Sequence, residues 1–154
     1  MVWHEGEGYF MLSQPTAYAA SALAFIAATG GKPVGVKAIA EACDIPSAYL
    51  AKIINTLARK NLVTTQRGVG GGVVLARGPQ EILLHDLCSA LDDPLIHPRC
   101  MLGNAVCSGD RACPAHEFCT SYRGKLTEFL HKTTIADIAA FETKRRWQAA
   151  NAQT

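Results

Sequence analysis

Four cysteines and a histidine crowd one short polar stretch, RCMLGNAVCSGDRACPAHEFC, as Cys100, Cys107, Cys113, His116 and Cys119. Thiolate and imidazole are the side chains that hold soft transition metals. The spacing is C-x6-C-x5-C-x2-H-x2-C. Zinc knuckles rest on close pairs such as C-x2-C. Only Cys113/His116 and His116/Cys119 are that close, so zinc stays open but is weakly signalled. Three thiols spaced five or six residues apart on a flexible loop can instead wrap a larger object. An iron–sulfur cluster is a few Å across and takes its ligands from several directions. Oxidation of cysteine pairs without any metal is a third option. The remaining cysteines, Cys43 and Cys88, fall on apolar helical faces and read as small buried residues.

The compartment bears on that choice. AYAASALAFIAA (Ala17–Ala28) is apolar enough for a signal-peptide core, but the residues before it carry Glu5 and Glu7 and no Lys or Arg. It is too short to span a bilayer. Ala19, Leu23, Ile26 and Ala27 instead form a helical stripe suited to burial. The chain is therefore expected to be cytoplasmic, without a membrane partner. There thiols stay reduced, and clustered cysteines point to metal or redox chemistry.

The elements that must position the cysteines come next. With 154 residues, 49% apolar and 18% charged, the chain has the size and composition of one folded domain. MVWHEGEGYF (1–10) reads as a loose extension. Gly30-Gly31-Lys32-Pro33 stops the first helix. Val36, Ile39, Ala40 and Cys43 recur at helical spacing, and after Asp44-Ile45-Pro46 so do Leu50, Ile53, Ile54 and Leu57. Pro46 suits the first turn of that helix and Ser47 its cap. Two short helices with a tight turn outline a helix-turn-helix. LVTTQRGVGGGVVLAR then reads as strand, glycine turn, strand, which makes a wing. GVGGG is no phosphate loop, because it lacks the Lys-Ser/Thr and leads into a strand.

After the wing, Leu84, Leu87, Cys88 and Leu91 predict a short amphipathic helix, and 95–112 an irregular loop. One long helix is expected from about Pro114 to about Trp147, its seam made of Leu126, Phe129, Leu130, Ile138 and Phe141. Such a seam suits dimerisation, or packing on the chain's own body. The expected fold is mainly α: a winged helix-turn-helix (11–78) with a small β-hairpin wing, then a cluster-binding loop and long C-terminal dimerisation helix (79–147), and a frayed tail (148–154).

Charge is distributed to match. The net charge is only +2, yet from Gly30 to Arg77 seven Lys or Arg stand against Glu41 and Asp44. A basic sub-region in a near-neutral chain points to a polyanion. In a winged helix the second helix enters the major groove. Its solvent face offers Ser47 and Lys52 for bases, Tyr49 for a phosphate or base edge, and Arg59 nearby. Arg67 would enter the minor groove, with Gly68 and Gly70 letting the backbone approach the sugar-phosphate wall. Lys60 and Arg77 would neutralise phosphates. No nucleophile elbow, HExxH or carboxylate pair is present, so the chain is expected not to be an enzyme.

From about Phe10 to Phe141 the chain resembles the IscR/NsrR/RirA-type winged-helix transcription regulators. The resemblance is carried by TAYAASALAFIA, VKAIAEACDIPSAYLAKIINTLARKNLV, RGVGGGVVLAR and the three-cysteine loop. It implies a homodimer on palindromic double-stranded operator DNA, with one [2Fe–2S] or [4Fe–4S] cluster per subunit controlling DNA affinity. Cys100, Cys107 and Cys113 match the cluster cysteines, and His116 stands where the iron–sulfur biogenesis regulator has its fourth ligand. The nitric-oxide sensors use an Asp on the first helix of the other subunit, and here Ala17 occupies that position. Cys119, or His4, Glu5 or Glu7 from the partner, compete with His116. Ala51 replaces an acidic residue of some relatives, which implies a different site preference. Rival readings are a winged-helix regulator with structural zinc, a thiol switch, and a small iron–sulfur electron carrier.

Overall fold

The computed structural model describes residues 12–103, 105–111 and 113–152. The N-terminal extension with His4, Glu5 and Glu7 lies outside the described residues. Among the described residues six α-helices and one two-stranded sheet make a mainly helical winged helix-turn-helix: α1 (Gln14–Ala28), α2 (Val36–Cys43), α3 (Ser47–Arg59), β1 (Val63–Gln66), β2 (Gly72–Leu75), α4 (Leu84–Ala90), α5 (His116–Lys132) and α6 (Ile135–Asn151).

The apolar periodicities bury as expected. Ala19, Leu23 and Ile26 of α1 meet Ile39 of α2 and Leu50, Ile53, Ile54 and Leu57 of α3 in one core, closed by Leu87, Leu130 and Ile135. The α2–α3 turn is tight because Asp44 takes a left-handed conformation (φ 55°), which short polar side chains tolerate. Pro46 occupies the cap position of α3 and Ser47 is the first helical residue, with no side-chain capping bond. Ser47 is therefore not the cap that its residue type suggested.

The wing strands pair antiparallel, from Val63 opposite Leu75 to Gln66 opposite Gly72. Val34 joins them, exchanging backbone hydrogen bonds with Val73 at 2.8 and 3.1 Å. This third rail explains Gly72: a Cβ there would stand 2.6 Å from the Val34 backbone.

The expected single helix from Pro114 to Trp147 is two helices. Thr134 caps α6, its hydroxyl accepting from the Asp137 N–H (3.1 Å) while the Asp137 carboxylate accepts from the Thr134 N–H (2.8 Å). A reciprocal cap of this kind starts a helix. The break also splits the seam. Leu130 is buried, Leu126 and Ile138 pack at the core edge, and Phe129 and Phe141 are 56% and 62% exposed. α6 folds back along α1, with the Arg146 guanidinium 5.3 Å over the Phe25 ring, and continues to Asn151. No helix among the described residues is long and apolar enough to cross a membrane.

Candidate functional site

The cysteine segment is a closed excursion between α4 and α5. At its base the start of α4 meets the end of α5: the Leu84 N–H donates to the Thr133 carbonyl (2.8 Å), and the His85 and His131 rings stack at 3.9 Å. Beyond α4, Asp93 fastens the segment to α1. Its carboxylate accepts from the Ser13 hydroxyl (2.7 Å), the Ser13 N–H (3.0 Å) and the Leu95 N–H (2.9 Å). Burial acts to raise the Asp93 pKa, but the bonds from Thr16, Leu95 and Ser13 outweigh it and hold the carboxyl below its ordinary value. The sequence reading did not single out this residue.

Within the segment Arg99 and Val106 face each other across a two-residue ladder. The Cys100 N–H donates to Ala105 (2.9 Å) and the Cys107 N–H to Pro98 (3.0 Å). These bonds hold Cys100 and Cys107 at the two ends of one short stretch of chain. A turn at Gly109–Arg111 follows, and the His116 N–H donates to the Cys113 carbonyl (3.0 Å) as α5 begins. This brings Cys107 Sγ within 3.4 Å of His116 Nδ1. Two ligands of one tetrahedral metal, one sulfur and one nitrogen, stand about 3.6 Å apart. One turn on, Cys119 Sγ lies 4.0 Å from Met101 Sδ. Met101 is a second contact that the sequence reading missed, and nothing in its spacing signalled it.

Cys100, Cys107 and Cys113 of the loop and Cys119 of α5 are all free and half-buried. Of the predicted ligands, Cys107 and His116 are brought together. Cys100 and Cys113 lie in the same segment, but no group of three or more His, Cys, Asp or Glu converges among the described residues as a ready metal site. The donor chemistry fits a metal or cluster whose binding draws in the remaining thiols, since metal binding and local ordering are coupled.

The other cysteines are inert. Cys88 is fully buried, and burial with the neighbouring Asp93 carboxylate pushes its thiol up to about 12. Cys43 is half-buried, short of the full burial expected, and its thiol donates to the Ser21 carbonyl (3.7 Å). Burial raises its pKa against the pull of Arg146. Such thiols are poor nucleophiles and poor ligands.

The predicted nucleic-acid face lies on the side of α3 away from its apolar stripe: Ser47, Lys52, Asn55 and Arg59 are exposed while Leu50, Ile53 and Leu57 are buried. Lys52, Asn55, Thr56 and Arg59 line one shallow open depression, and the Arg59 guanidinium donates to the Thr56 hydroxyl (3.2 Å). Tyr49 is half-buried and meets the Tyr18 ring edge-on at 5.9 Å, so much of its surface packs α3 on α1. Lys60 is exposed, whereas Arg77 pairs with Asp86 at 3.2 Å. In the wing Arg67, Gly68 and Gly70 are exposed at the tip, which Gly68 and Gly70 turn with φ of 97° and 77°.

Comparison with known proteins agrees with this architecture. A family model described as Rrf2, an iron-dependent transcriptional regulator, matches residues 12–140. The HTH-type transcriptional regulator IscR of Sodalis glossinidius (strain morsitans) is 31% identical over 126 residues, 81% of this chain and 76% of that protein. Among solved structures, CymR, the global cysteine regulator of B. subtilis, superposes with a TM-score of 0.72 at 25% identity, covering 86% of this chain and 98% of its own. T. potens IscR superposes with a TM-score of 0.67 at 26% identity, covering 87% and 89%. The chain belongs to the Rrf2 family: it is a DNA-binding transcriptional regulator, not an enzyme.

Proposed function

We propose that this regulator is a cytoplasmic homodimer that binds palindromic operator DNA with an affinity set by an iron–sulfur cluster. Cys100, Cys107, Cys113 and His116 hold the cluster, which is [2Fe–2S] or [4Fe–4S]. The observation that carries this reading is the 3.4 Å approach of Cys107 Sγ to His116 Nδ1, which brings a thiol and an imidazole from distant positions of the segment to one place, both of them donors to soft metals. When bound, the cluster supplies a centre sensitive to iron supply, oxidants or nitric oxide. The chain's own residues do the rest. Cys100 and Cys107 are held by the short ladder, and His116 by the start of α5. Ordering the segment between α4 and α5 shifts the winged-helix part (11–78) against the partner subunit, so half-site spacing fits or misfits the operator. The exposed Phe118 and Phe129 of α5 and Phe141 of α6 supply apolar surface for the dimer.

On DNA, Ser47 and Lys52 read bases in the major groove, with Tyr49 contributing only its exposed edge. Arg59 and Lys60 meet phosphates, and Arg67 enters the minor groove on a tip made of Gly68 and Gly70. The test compares cluster-loaded protein with Cys107→Ala by fluorescence anisotropy on operator DNA. Altered affinity and lost response to oxidant in Cys107→Ala support the reading; identical affinity and response contradict it.

A thiol switch is the second reading, favoured by four free, half-buried thiols and by the likeness to a cysteine regulator. It predicts an oxidant response in protein that holds neither iron nor sulfide. Structural zinc in the same loop predicts zinc without sulfide or colour.

A further inference from the structure

We infer that Cys119 is a fifth donor to the proposed centre, able to replace His116 as the ligand supplied by α5; this rests on the cluster reading above. The first turn of α5 is regular, the Cys119 N–H donating to the Ala115 carbonyl at 2.9 Å. Residues three apart on a helix stand side by side, with Cβ atoms about 5–6 Å apart. His116 and Cys119 therefore face the same segment from one rigid turn. Each has a contact there: His116 with Cys107 at 3.4 Å, and Cys119 with Met101, the residue after Cys100, at 4.0 Å. The two donors thus address the two ends of the small loop that carries Cys100 and Cys107. Neither sulfur is locked away, for Cys119 is half-buried and Met101 is 57% exposed.

A [2Fe–2S] or [4Fe–4S] cluster takes four protein ligands in all, and the segment carries five candidates, Cys100, Cys107, Cys113, His116 and Cys119. Exchange is balanced without a redox partner. Cys119 would take the place of His116 on iron, its thiol proton passing to the released imidazole or to solvent. No electron moves. The all-cysteine form carries one more negative charge on its ligands and is harder to reduce, as the contrast between histidine- and cysteine-ligated clusters requires.

The experiment is anaerobic purification of the full chain as wild type, His116→Ala, His116→Gln, Cys119→Ser and His116→Ala/Cys119→Ser. Iron, acid-labile sulfide, the visible spectrum, the EPR spectrum of the reduced state, the reduction potential and the helical circular dichroism are read for each. The expected result is a coloured His116→Ala (and His116→Gln) with wild-type iron content, shifted EPR features and a lower reduction potential. Cys119→Ser matches wild type, and the double variant loses its iron and sulfide while keeping its helicity. A coloured wild type with colourless, folded His116→Ala and His116→Gln overturns the inference alone. So does a double variant that keeps its cluster. A colourless wild type overturns the cluster reading and this inference with it.

Discussion

The Ser13 hydroxyl donates a 2.7 Å hydrogen bond to the buried Asp93 carboxylate, tying the N-cap of α1 to the root of the cysteine segment. One side chain thus couples the helix that packs on the whole core to the loop that carries the candidate centre. Asp93→Ala leaves the Ser13 and Leu95 N–H groups without their acceptor. Hydrogen bonds to a charged group contribute about 1.5–3 kcal/mol each, and orphaned buried donors add to the loss. Asp93→Ala is expected to destabilise the fold by about 3 kcal/mol in urea unfolding.

The same carboxylate shapes the acid limb of stability. Its pKa is lowered in the folded state, so the unfolded chain binds the proton first as pH falls. The stabilisation is complete above the unfolded value, about 3.9, and is lost as pH drops through the folded value beneath it. Exposed Asp137 is shifted in the same direction by its Thr134 bonds. Unfolding midpoints measured from pH 6 to pH 2.5 should fall more steeply in wild type than in Asp93→Asn.

The wing is sensitive at one glycine more than another. Gly72→Ala drives a Cβ to 2.6 Å from the Val34 backbone, while a Cβ at Gly70 meets nothing within 4 Å. Gly72→Ala should cost about 2 kcal/mol or more through forced repacking. Gly70→Ala should cost about 1 kcal/mol through its left-handed backbone alone. Thermal unfolding of the two variants checks the order.

On operator DNA, Lys60→Ala should weaken binding to every sequence alike and lower the slope of log affinity against log salt by about 0.9. Arg67→Ala should lose about tenfold in affinity and most of the preference for an A·T-rich flank. Anisotropy titrations across salt and flank sequence separate the two roles.

Much of this was legible in the sequence, for reasons tied to particular residues. The stripes Ala19/Leu23/Ile26 and Leu50/Ile53/Leu57 set α1 and α3 because one face of each is buried in a single core. The glycines marked the wing tip because only they turn it with positive φ. The α5–α6 break was missed because apolar residues continue through it at near-helical spacing. The signal was present in the Thr134…Asp137 pair, whose side chains cap α6. Tyr49 read as a surface contact because its half-burial depends on Tyr18, which lies far away in the chain. Asp93 and Met101 were invisible for the same reason: their partners, Ser13 and Cys119, are set by tertiary folding and not by spacing.

The central claim is that the Cys100–His116 segment holds an iron–sulfur cluster. It is tested most directly by the visible spectrum of anaerobically purified wild-type protein, with iron and acid-labile sulfide assayed on the same sample. A brown protein with iron and sulfide in matched amounts is the predicted result, and its band shape assigns the cluster type. A colourless protein holding zinc, or no metal, would contradict it.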